Sequence, residues 1–69
     1  MKKVILVDDT NTNNRLDMFV NTENRLFIAV GELDTGSAYT GYITLDLGDA
    51  KTLREMIDRA ITEMEQERS

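Results

Sequence analysis

The chain contains no cysteine, no histidine and no proline. Without cysteine it has no disulfide to close its loops, and without thiolate or imidazole ligands the usual zinc sites are excluded. Without imidazole, neither of its two serines, Ser37 and Ser69, has the base that would activate a hydroxyl nucleophile. Long apolar runs are missing too. Val4 to Val7 and Leu26 to Val30 are the longest, far short of a signal peptide or a membrane span. Positive charge is scarce: eight basic residues stand against 13 acidic ones, leaving a net charge of −5 and a pI near 4.5. Affinity for phosphate backbones comes from Lys and Arg displacing counterions, so this balance disfavours nucleic acid and anionic membranes. The absence of cysteine suits a reducing compartment, and the expectation is a soluble, cytoplasmic protein.

What is present is a single domain over residues 1–69. A chain of this size lies near the lower limit for a core that stands alone, because apolar burial there only about balances chain entropy. Small folds add disulfides, a metal or a second subunit. With the first two unavailable, oligomerisation is the support that remains, and a homodimer is expected.

Lys2 to Asp8 reads as a first strand, apolar on both faces from Val4 to Val7, and therefore covered on both sides or placed at a subunit contact. Asp9 to Asn14 is a loop of residues whose side chains bond their own backbone. Arg15 to Asn21 and Arg25 to Leu33 are two further strands, joined by Thr22, Glu23 and Asn24. A three-residue hairpin loop needs a left-handed last residue, which Asn24 tolerates. That loop opposes Val20 to Leu26, Phe19 to Phe27 and Met18 to Ile28. One face of the sheet then carries Leu16, Met18, Val20, Leu26, Ile28 and Val30, and the other Asp17, Phe19, Phe27 and Ala29. Asp34 to Ala38 is a Gly/Ser loop. Tyr39 to Leu45 is a fourth strand, with Gly41 marking a bulge or a close approach.

Asp46 is placed to cap a helix and Asp49 to add favourable charge in its first turn. Ala50, Leu53, Ile57, Ala60, Ile61 and Met64 recur at three- and four-residue steps, one apolar stripe along about five turns. Glu65 to Ser69 is expected to fray. The reading is an α+β fold, a four-stranded antiparallel meander with one C-terminal helix packed on one face. The stripe should cover Leu16, Met18, Ile28, Val30, Ile43 and Leu45.

Catalytic groups are hard to assemble from these residues. The opening Met1 to Asp9 (MKKVILVDD) resembles the first strand of response-regulator receiver domains, where paired acidic residues bind magnesium. The longer alternating chain, the later phosphoacceptor Asp and the Lys of that family have no room here, so Asp8 and Asp9 read as loop-entry residues. Carboxylate pairs can run acid–base chemistry only in a pocket that shifts one pKa, and one sheet with one helix leaves little concavity. Glu55, Asp58 and Glu63 instead sit three or four residues from Lys51, Arg54 and Arg59, as surface pairs. The protein is expected not to be an enzyme and to need no cofactor.

The sheet face away from the helix would carry Phe19, Phe27 and Tyr42, three of the four aromatic residues. Such a face is a buried contact or a stacking platform. The strand ending Ile43-Thr44-Leu45-Asp46, then a helix with Leu53-Arg54-Glu55 and Ile57, resembles the end of transcriptional coactivators of the positive-cofactor-four type. The preceding hairpin and Gly-containing loop fit that family's order of four strands and a helix, which Pur-alpha and Whirly repeats share more distantly. The resemblance implies a homodimer with single-stranded nucleic acid lying over the sheets. This chain departs from the family's basic hairpin: Arg25 has Glu23 beside it, Arg15 stands at the strand start, and Asp17 occupies the face that should meet phosphate. The first expectation is therefore an acidic regulatory or inhibitory module. It would bind an unidentified protein and dimerise through Phe19, Phe27 and Tyr42. The alternative is a single-strand binder that uses those residues with Arg25.

Overall fold

The computed structural model describes residues 1–32 and 39–67. Four strands, β1 (Val4–Val7), β2 (Asn14–Val20), β3 (Leu26–Glu32) and β4 (Tyr39–Leu45), precede one helix, α1 (Leu47–Glu67). The strands form a single antiparallel sheet in the order β1-β2-β3-β4, so the architecture is the expected α+β meander with a C-terminal helix. The strand ends differ by a residue or two, as pattern reading leaves them. The expected continuation of the third strand to Leu33 and the Gly/Ser loop lie outside the described residues.

The hairpin between β2 and β3 shows why its register holds. Asn24 sits at φ 60°, in the left-handed region that Asn tolerates better than most residues. Asn21 holds the turn by accepting at Oδ1 from the amides of Glu23 and Arg25, each at 3.0 Å. Val20 then faces Leu26, Phe19 faces Phe27 and Met18 faces Ile28. Between β3 and β4 the register shifts at Val30/Gly31: Val30 pairs with Gly41 and Gly31 with Tyr39, leaving Thr40 as the extra residue. Gly41 adjoins that bulge, and a Cβ there would meet nothing within 4 Å, so no close approach of another backbone requires the glycine.

Helix α1 begins where the sequence places it. The Asp46 carboxylate accepts from the Asp49 amide at 2.8 Å, satisfying one of the free donors of the first turn. The helix runs on through Glu65 and Gln66 to Glu67, past the point at which fraying was expected. The expected ion pairs of Lys51, Arg54 and Arg59 with Glu55, Asp58 and Glu63 do not form among the described residues, and these side chains are exposed. Fixing two long side chains in water costs about what such a pair returns.

The helix stripe looks toward Leu16, Met18, Ile28, Ile43 and Leu45 but does not close on them. It meets the sheet chiefly at β4, and a groove of about 650 Å³ stays open between the two layers. Ile43 remains 55% exposed, and Val30 and Ile57 are exposed as well. The expected packing on Val30 is not made: that residue does not line the groove. The strongest burial is on the other side of the sheet, at Ala29 and Asp17. All four residues of β1 are exposed at the sheet edge, so the covering expected for an apolar strand is not supplied by the described part of this chain.

Candidate aromatic binding face

Alternation along the strands puts Ile5, Asp17, Ala29 and Tyr42 in one row across the sheet, on the face opposite the groove. The adjacent row holds Phe19, Phe27 and Thr44. Phe19 and Phe27, directly opposed, bring their ring centroids to 4.9 Å at an interplanar angle of 33°. Tyr42 is the diagonal neighbour of Phe27, and these rings stack at 5.3 Å and 19°. The geometry is that of offset aromatic pairs on neighbouring strands. The three rings make a continuous ladder over β2, β3 and β4. Its outer end is open: Tyr42 is 71% exposed.

Ala29, the small residue between Asp17 and Tyr42, is almost fully covered, and Asp17 is 0% exposed. On an open sheet face such burial requires that the larger neighbours lean over both. A carboxylate taken out of water needs charged partners, and Asp17 has two. Lys3 Nζ lies 3.4 Å from Oδ2 and Arg15 Nε lies 3.2 Å from Oδ1. The side chains of Lys3 and Arg15 both keep part of their surface in solvent. The Lys3 ammonium also lies 6.0 Å from the centre of the Phe19 ring, the outer limit of a cation–π contact. At the far end, Arg25 Nε donates to Thr44 Oγ1 at 3.3 Å and Nη2 to the Thr44 carbonyl at 3.4 Å. These bonds hold the guanidinium along the edge of the ladder, beside Phe27.

The structure thus brings together all five residues singled out from the sequence: Phe19, Phe27 and Tyr42 as the ladder, with Arg25 and Asp17 at its margins. The part played by Asp17 differs from expectation. It presents no carboxylate to solvent, because Lys3 and Arg15 enclose it. Lys3 was missed. Its place follows from the pairing of Val4 with Met18, which was not legible until β1 had a neighbour. Arg15 in β2 and Lys3 and Arg25, which directly precede β1 and β3, place three cations around the ladder with the carboxylate of Asp17.

Asp8 and Asp9 lie at the far end of β1. The Asp8 carboxylate accepts from the Thr10 hydroxyl at 2.7 Å and the Thr10 amide at 2.9 Å. These bonds, the hydroxyl's first, hold its pKa below the ordinary 3.8. Its amide donates to the Asn14 carbonyl at 3.1 Å, closing the β1–β2 loop. Among the described residues, no three acidic side chains gather closely enough to hold a metal ion, and no helix is long and apolar enough to cross a membrane. Compared with known families, curated proteins and solved structures, the chain matches none at a significant level.

Proposed function

We propose that the protein is a small non-enzymatic binding module that works as a homodimer and receives single-stranded nucleic acid across the Phe19–Phe27–Tyr42 ladder. The observation that carries this reading is the ladder itself: three rings in contact on an open sheet face, Phe19 and Phe27 tilted at 4.9 Å and Phe27 and Tyr42 stacked at 5.3 Å, with Lys3, Arg15 and Arg25 around them. Bases stack on aromatic rings regardless of sequence, each stack worth about 1–3 kcal/mol, while flanking cations follow the backbone. One of the sequence objections, an Asp17 carboxylate on this face, is weakened by its 0% exposure. The net charge of −5 remains an opposing field and caps the affinity.

A second reading is favoured by that charge. A regulatory or inhibitory module could offer its acidic helix, with Asp49, Glu55, Asp58 and Glu63 exposed, to a basic surface on a protein partner. Fluorescence anisotropy with a labelled oligothymidine, repeated over a range of salt, separates the two. Three cations per protomer, less the Asp17 charge that Lys3 and Arg15 already neutralise, should give a log–log salt slope of roughly −1.4, at about 0.7 per phosphate contact. No binding at low salt would hand the function to the protein-partner reading.

A further inference from the structure

The apolar groove between α1 and the sheet has no occupant from the described part of this chain, and the chain as a whole exposes more surface than a folded monomer of its mass should. A folded monomer of 7.9 kDa exposes about 4,400 Å² by the usual scaling with mass. This chain exposes 5776 Å². The excess, about 1,400 Å², exceeds the roughly 800 Å² that each partner buries in a standard interface. The shape agrees: the radius of gyration is 13.9 Å, against about 11 Å for a compact domain of this length.

The helix itself points to what fills the space. Groove-lining residues of α1 end at Ile57, but the apolar stripe continues to Ile61 and Met64, which are 47% and 66% exposed. At 21 residues the helix is about 32 Å long, whereas a seven-residue strand spans only about 24 Å. The last turns therefore extend past the groove, with apolar side chains that line none of it. The groove has the converse problem, with Leu6 and Ile43 open on its floor.

We infer that the occupant is a second copy of this chain, each helix laying Ile61 and Met64 into the groove of the other, against Leu6 and Ile43. This rests on the homodimer reading above and moves the contact from the aromatic face, where the sequence had placed it, to the helix side. A twofold axis satisfies both needs at once, because the same overhang and the same groove meet twice. The aromatic ladders of both protomers then stay free for ligand.

Sedimentation equilibrium on wild type, Ile61→Asp and Phe27→Asp tests the assignment. Ile61→Asp should raise the dimer dissociation constant at least about thirtyfold, the scale of an interface hot spot, while Phe27→Asp leaves it unchanged. An unchanged constant for Ile61→Asp, or dissociation caused by Phe27→Asp alone, would overturn the interface and leave the homodimer standing. Monomeric wild type at millimolar concentration would overturn both. Should Ile61→Asp fail to fold, isotope-filtered NMR on mixed labelled and unlabelled wild type still decides. Contacts between protomers should run from the Ile61 and Met64 methyls to those of apolar groove residues such as Ile43 or Leu6. Contacts from the Phe27 ring instead would sink the proposal.

Discussion

Two aspartates show how far a residue's neighbours set its role. Asp17 is buried beside Lys3 and Arg15, so deleting its carboxylate leaves two cations facing each other across the gap. Both keep some contact with water and can turn outward, which limits the loss. Asp17→Ala should cost about 1–3 kcal/mol, read as a shift in the urea midpoint; an unshifted midpoint would mean that the enclosure stabilises nothing. Asp8 is exposed, and its carboxyl is lowered first by the Thr10 hydroxyl. A lowered carboxyl stabilises the folded chain above its ordinary value, and that contribution is lost as pH falls through the lower, folded one. Thr10→Val should return the Asp8 titration toward 3.8, followed by carboxyl-carbon NMR. A curve identical to wild type would mean the hydroxyl bond does not persist in solution.

At the scale of elements, the parts governed by short-range chemistry were legible. Asn24 set the hairpin loop and with it the partners of Phe19 and Phe27, since a one-residue slip would exchange the two faces. Asp46 set the start of the helix, and Asp46→Ala should cost about 1 kcal/mol by thermal unfolding. An unchanged melting temperature would show the cap to be redundant. The bulge at Thr40 was legible only as a glycine nearby, because a register shift depends on both strands. The helix stripe was read correctly as a pattern and wrongly as a closed contact: periodicity identifies an apolar face but not the distance to its partner. Ile57, already exposed, should therefore lose only about 1 kcal/mol to Ala from contacts within one chain, well below a buried isoleucine. Urea unfolding at several protein concentrations checks this. A loss of about 3 kcal/mol or more at every concentration would mean that helix and sheet close within the protomer.

At the scale of the whole molecule, charge and apolar surface are sorted by face. Acidic groups line the outer helix, the bare apolar groove lies between helix and sheet, and the rings with their three cations occupy the opposite side. Net charge, the quantity most easily read from the sequence, averages over this sorting and therefore speaks against the ligand proposed for one face. Composition could not show that Asp17 is enclosed, since that depends on Lys3, just before β1, and Arg15 in β2 converging on it.

The claim on which the account turns is that the ladder binds ligand, and Tyr42 is the residue at which to test it. Its ring is 71% exposed, so Tyr42→Ala removes a stacking surface at little cost to the fold. With labelled oligothymidine at low salt, Tyr42→Ala should bind about 5- to 150-fold more weakly than wild type, the loss of one base stack, with the salt slope unchanged. Equal affinity for the two proteins would contradict the account, because any nucleic acid bound would then lie elsewhere than on the aromatic face.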